Sequence, residues 1–162
     1  LPQLLERSGR TASGSITGLY TVLVEGDDLT EPIADAIRGV LDGHVWLSRR
    51  IANRGQYPAI DPLESVSRVM PDVVAPAHLQ AAMEAKSVLA AWQDSEDLIN
   101  LGAYVRGANP RVDRAIALIE PFRVWLRQGM GERSTLAEAV QGLAKVLATP
   151  VPPSTVAARV RA

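Results

Sequence analysis

The sequence predicts an α/β segment followed by an all-α one, the end of a parallel-sheet unit joined to a helical domain. Three observations predict it. The first seventy residues alternate strand-like and helix-like patterns; strand signals vanish after about Pro71; and three apolar stripes at helical spacing follow.

The opening stretch, Leu1 to Ser8, suggests the end of a helix, with Gly9 as its C-cap. A polar, glycine-containing loop, 11–14, leads into an expected strand over Ser15 to Val24. Ile16, Tyr20, Val22 and Val24 fall on one face of that strand, and Leu19 and Leu23 on the other. Apolar residues on both faces argue for an interior strand of a covered sheet. Glu25-Gly26-Asp27-Asp28-Leu29-Thr30 is an acidic loop, and Thr30 and Pro32 suit the start of a helix. Ile33, Ile37, Val40 and Leu41 recur at helical spacing until Asp42-Gly43 ends the pattern. His44 to Leu47 reads as a second strand. The order strand, helix, strand suggests a βαβ unit and parallel pairing. Arg49 to Arg54 reads as a short helix stopped by Gly55, and the prolines in Tyr57-Pro58-Ala59-Ile60-Asp61-Pro62 require extended or turned backbone.

Beyond Pro71 the stripes are Ala82, Ala85, Leu89 and Trp92; then Val112, Ile116 and Ile119; then Leu136, Val140, Leu143 and Leu147. Asn109 and Pro110 suit the cap and first position of the second helix, and Ser134 or Thr135 caps the third. The tail Thr149-Pro150-Val151-Pro152-Pro153 is expected to be extended. The expected division is 1–71, the C-terminal part of the sheet domain; 72–148, the helical domain; and 149–162, the tail.

Composition narrows the chemistry. Hydrophobic residues make up 47% of 162, enough for a core, and the net charge of −1 gives no reason to expect nucleic acid as a partner. The chain has no cysteine, which excludes disulfides and thiolate chemistry. No apolar run approaches the roughly 20 residues of a membrane span. The first residues lack the pattern of a signal peptide. His44 and His78 have no neighbours at metal-ligand spacing and read as structural.

Specific motifs go further. Gly14-Ser15-Ile16-Thr17, Tyr20-Thr21-Val22-Leu23-Val24-Glu25-Gly26-Asp27-Asp28, Leu41-Asp42-Gly43-His44, Leu47-Ser48-Arg49-Arg50, Tyr57-Pro58-Ala59-Ile60-Asp61 and Ser65-Val66-Ser67-Arg68-Val69-Met70 resemble the type III export ATPases. So do Asn100-Leu101-Gly102-Ala103-Tyr104-Val105, Gly107 and Pro110-Arg111-Val112-Asp113-Arg114-Ala115-Ile116 in the helical half. These flagellar or injectisome enzymes are homologous to the catalytic subunits of rotary ATP synthases. The resemblance runs in register from Leu1 to about Leu147.

That resemblance implies the end of a RecA-like nucleotide-binding domain and a C-terminal helical domain. It implies that the whole protein is an ATP-hydrolysing homo-hexamer, cytoplasmic and peripheral at the inner face of the bacterial membrane. There it would drive release and unfolding of export substrates, with ATP and Mg²⁺ as cofactors. Partners would be a central stalk protein, export chaperones with their substrates, and the peripheral secretion apparatus. The sequence contains no G-x-x-x-x-G-K-[ST] loop, so this stretch alone is expected to be inactive and its Mg²⁺ ligands to lie upstream.

Residue by residue, Arg68 matches the family's arginine finger, whose guanidinium stabilises charge on the transferring phosphoryl group from a neighbouring subunit. Tyr57 matches the residue that stacks on adenine; a core tyrosine packing under a turn is the alternative. Gln56 stands before it where the family usually has His. Glu25, Asp27 and Asp28 match the acidic pore loop that meets the stalk; a solvated turn is the alternative. Arg49 and Arg50 suit pairing across a subunit interface or plain surface charge. Trp92 reads as core, and Trp125 and Met130 as candidates for a chaperone–substrate surface. Two further readings stay open: a rotary ATP synthase-type subunit, and a non-catalytic module that binds chaperone, stalk or substrate.

Overall fold

The computed structural model describes residues 7–24 and 32–152. Two short strands, β1 (Gly9–Thr11) and β2 (Gly14–Ile16), form an antiparallel hairpin. Helix α1 (Pro32–Val40) leads to β3 (Gly43–Leu47), α2 (Arg49–Asn53) and β4 (Ile60–Ser67). Then come only helices: α3 (Met70–Val73), α4 (Pro76–Asn100), α5 (Pro110–Leu126) and α6 (Leu136–Leu147). The expected order, strands with a helix and then helices alone, is what the chain adopts.

The strand expected over Ser15 to Val24 ends at Ile16, and Gly9 opens β1 where a helix C-cap was expected. Residues 17–24 have no ladder partner among the described residues. A strand exists only where a neighbour accepts and donates its backbone hydrogen bonds. Leu19 and Leu23, 96% and 91% exposed, are therefore left uncovered. The described strands also pair antiparallel, β1 with β2 and β3 with β4, so the parallel βαβ contact is not formed among them. The acidic loop with Glu25, Asp27 and Asp28, the cap Thr30 and the tail from Pro153 lie outside the described residues.

Antiparallel β3–β4 pairing has a local cause. Gly43 lies opposite Ser67, and a Cβ on Gly43 would sit 2.5 Å from the Val66 carbonyl oxygen, so only glycine permits this approach. Between His44 and Trp46 the register shifts. Asp61 fills the irregularity: its carboxylate accepts from the Leu63 amide at 3.0 Å, and the Ser65 hydroxyl donates to the Asp61 carbonyl at 2.6 Å while accepting from the Trp46 amide at 3.0 Å. These bonds satisfy backbone groups that the bulge removes from the ladder.

The helical domain packs α4, α5 and α6 around Ala85, Val88, Ala91, Ala115, Leu118, Phe122, Leu143 and Val146. Alanines at three of these positions let helix backbones approach closely while Leu118 and Phe122, fully buried, fill the centre. Asn109 caps α5 by accepting from the Arg111 amide, and Thr135 caps α6 in a reciprocal capping box with Glu138. Leu136, expected on the third stripe, is 73% exposed because it occupies the first helical position, before the buried face begins. Trp125, expected as an interface residue, instead packs edge-on to Phe122, with ring centroids 6.4 Å apart, and covers Gly142. Trp92 packs against the core as expected. Met130 is fully exposed.

Candidate functional site

Arg68 follows the last residue of β4. Its amide donates to the Asp42 carbonyl at 2.8 Å, extending the ladder by one bond and fixing its backbone beside the α1–β3 junction. Its guanidinium donates to the Gly39 carbonyl at 3.1 Å and the Arg38 carbonyl at 3.0 Å. Both belong to the last turn of α1, whose carbonyls lack helical partners and carry the negative end of the helix dipole. A guanidinium has five N–H donors, and one on each terminal nitrogen is engaged this way on an exposed side chain. Asp35, Arg38, His44 and Val66 line the same depression. His44 donates from Nε2 to the Glu64 carbonyl at 2.8 Å, a structural bond that fits its expected role.

Tyr57 lies on the loop between α2 and β4. Gly55 adopts φ +69°, a left-handed conformation that stops α2 and turns the chain. The Ser48 amide then donates to the Ala59 carbonyl at 2.8 Å, closing the loop onto β3. The Tyr57–Pro58 peptide is cis. The tyrosine ring is held outward, with the residue 57% exposed, so the alternative of a core tyrosine is not what forms. Its carbonyl accepts from the Gln128 amide at 2.9 Å, a bond that reaches from the end of α5. Tyr57 and Arg68 thus flank β4 at its two ends, both open to solvent.

The arginines after β3 have partners within the chain. Arg50 lies 3.6 Å from the buried Asp61 carboxylate and donates to Gln93 at 3.4 Å. Arg54 meets Glu96 with two parallel bonds, 2.9 and 3.1 Å. Arg123 lies 3.8 Å from the same carboxylate and 5.4 Å over the Trp92 ring. Lys86 donates to the Ser65 carbonyl at 2.7 Å. Polar contacts therefore tie the β3–α2–β4 unit to α4 and α5. Sequence reading missed this set, because Glu96 and Arg54 lie 42 positions apart and neither belongs to a short motif.

A second network locks the α4–α5 loop. The Tyr104 hydroxyl sits 2.9 Å from the Asn109 carbonyl and 3.0 Å from Asp113 Oδ1, and Asp113 Oδ2 accepts from the Gly107 amide at 2.9 Å. Gly107 has φ +93°. Desolvation first, then the hydrogen bond and charge of Asp113, push the Tyr104 hydroxyl above its ordinary pKa, against a lowering backbone bond at Asn109. At the other end of the domain, the Thr135 amide and then its hydroxyl hold the Glu138 carboxyl below its ordinary value. Among the described residues no group of three His, Cys, Asp or Glu could hold a metal ion.

Residues 1–67 match the family model of the ATP synthase alpha/beta family, nucleotide-binding domain, and residues 74–145 match that of the T3SS EscN ATPase C-terminal domain. The flagellum-specific ATP synthase of Pseudomonas aeruginosa is 54% identical over 150 residues, 91% of this chain and 33% of that protein. Among solved structures, the assembled ATPase EscN from the enteropathogenic E. coli type III secretion system matches with a TM-score of 0.87 at 41% identity, over 91% of this chain and 36% of that one. EscN in complex with its central stalk EscO matches with a TM-score of 0.81 at 40% identity, over 91% and 35%. The chain spans about a third of the length of the relatives it matches.

Proposed function

This chain belongs to the type III export ATPase family, and on that premise we propose that it is the C-terminal part of an ATP hydrolase that energises release and unfolding of secretion substrates. Its units would be 1–71 from the nucleotide-binding domain, 72–148 as the helical domain and 149–162 as a tail. The whole protein would work as a homo-hexamer around a central stalk, with export chaperones and substrates as further partners. Its place would be the cytoplasmic, inner face of the bacterial membrane. No helix among the described residues is long and apolar enough to cross a membrane. EscN, a similar protein, is described as assembled and in complex with its central stalk. Glu25, Asp27 and Asp28 would face that stalk.

The observation that carries the chemical reading is the pair of exposed groups at the two ends of β4. Tyr57 presents an aromatic face to solvent on a backbone tied at Ala59 and at Gln128. Such a face fits adenine by stacking and requires little ordering on binding. Arg68 presents a planar fork whose base is fixed by the Asp42 bond, and such a fork fits phosphate oxygens. We assign Tyr57 to the adenine of its own subunit's nucleotide and Arg68 to the phosphoryl group bound by the neighbouring subunit. ATP supplies the phosphoanhydride bond that is cleaved. The described residues do not fit a Mg²⁺ site, and its ligands are assigned to the remainder of the longer protein.

Arg68 starts engaged with two α1 carbonyls, so its role requires exchange of those neutral acceptors for phosphate oxygens. Charge-assisted bonds are roughly twice as strong as neutral ones, which favours that exchange. The test is steady-state ATP hydrolysis by the full-length hexamer carrying Arg68→Ala. Turnover should fall by about 10³–10⁵-fold, as for other arginine fingers, with nucleotide binding retained. Near-normal turnover in a verified hexamer would remove the assignment.

A further inference from the structure

The Tyr57 loop is short, exposed and contains Gly55, yet it is anchored from outside its own domain. Its start and its middle each bond to the helical domain. At the start, Arg54 meets Glu96 of α4 through both terminal guanidinium nitrogens, 2.9 and 3.1 Å from the two carboxylate oxygens. That two-pronged geometry fixes the plane of the guanidinium as well as its position. At the middle, the Tyr57 carbonyl accepts from Gln128 beyond α5. Only Gly55 and Gln56 lie between, and glycine is the residue with most conformational freedom to lose.

Glu96 is the fixed partner of the pair. Its side chain is 16% exposed while that of Arg54 is 51% exposed. Arg123 of α5 stands 3.8 Å from the same carboxylate, and Arg123 also lies over Trp92 and bonds Glu120 at 2.6 Å. The carboxylate is thus held between two guanidiniums in a cleft that Gln56 and Trp92 also line. The shielded member belongs to the helical domain, and the more exposed member begins the Tyr57 loop.

We propose that Glu96 is a positioning residue for nucleotide binding: its carboxylate holds Arg54 and, through the two residues that follow, sets the position of the Tyr57 ring. This inference rests on reading Tyr57 as the adenine contact. By it, the helical domain determines nucleotide affinity without touching nucleotide. Losing the tether returns loop freedom that binding must then remove.

The test uses the full-length hexameric ATPase with Glu96→Gln, Arg54→Lys and Tyr57→Ala. Kd for a fluorescent ATP analogue and KM for ATP should rise about 3- to 10-fold in Glu96→Gln and Arg54→Lys, with kcat within about twofold of wild type. Arg54→Lys keeps the charge but loses the fork at a half-exposed position, so it reports even if Glu96→Gln folds poorly. Glu96→Gln should add nothing in a Tyr57→Ala background. If Tyr57→Ala weakens binding while both Glu96→Gln and Arg54→Lys leave Kd and KM unchanged, the contact only packs the domains and the proposal fails alone. If Tyr57→Ala itself leaves Kd unchanged, the adenine reading fails and takes the proposal with it.

Discussion

Gly142 lies in the middle of α6, where helix propensity favours alanine by about 1 kcal/mol. The tertiary contact reverses that preference. A Cβ at this position would sit 2.5 Å from Trp125 Nε1 and 2.8 Å from Cδ1. Ordinary contact begins at 3.4 Å, so the indole would have to retreat by 3.4 − 2.5 = 0.9 Å. It has little room, because it packs edge-on to Phe122, which is fully buried. Overpacking of this kind costs about 1–3 kcal/mol. Set against the propensity gain, Gly142→Ala should lose roughly 1 kcal/mol, or about 4–8 °C in Tm for a domain of this size. Thermal unfolding followed by far-UV circular dichroism reads this directly. Trp125→Phe should relieve the contact, so Gly142→Ala should be better tolerated in that background than in the wild type. A Gly142→Ala protein that melts above wild type would refute the reasoning, since propensity alone would then decide the site.

Phe122→Ala empties the centre of the helical core and should cost about 3–5 kcal/mol, measured by denaturant unfolding. Thr135→Ala removes the α6 cap and should cost about 1 kcal/mol by the same assay. Because the Glu138 carboxyl is held below its ordinary 4.5 in the folded chain, its contribution is present above that pH. It should be lost as pH falls through the folded value, and Glu138→Gln should flatten that part of a stability–pH curve. Tyr104 has the opposite sign: its folded pKa lies above 10.0, so the unfolded chain releases the proton first. Stability should therefore fall as pH rises past 10.0 toward the folded value, and Tyr104→Phe should abolish that loss.

Local pattern accounts for most of what was legible. Helices α4, α5 and α6 follow from apolar residues three and four apart, and the starts of α5 and α6 from Asn109-Pro110 and Thr135, whose side chains or rings act within one turn. Gly55 as a stop for α2 and the extended run after Pro58 are equally local. Family membership was legible from motifs that span both halves of the chain. The strand expected over residues 15–24 was not, because a strand depends on a partner ladder that no residue in its own window can specify. Parallel pairing failed for β3 for the same reason: the bulge bonds of Asp61 and the bare Gly43 select an antiparallel neighbour whose partner residues lie 13 to 24 positions away.

For the candidate site the sequence by itself determined residue types: an aromatic beside proline at Tyr57 and an arginine after a strand at Arg68. Only the tertiary structure decided what holds them. The carbonyls of Arg38 and Gly39 receive the Arg68 guanidinium, Gln128 ties the Tyr57 backbone, and Glu96 anchors Arg54. Trp125, a surface candidate in sequence, packs against the core because α6 brings a residue without a side chain, Gly142, against its indole. Propensity and periodicity act over a few residues along the chain, whereas hydrogen-bond partners and packing contacts are set by which distant segments the core brings together.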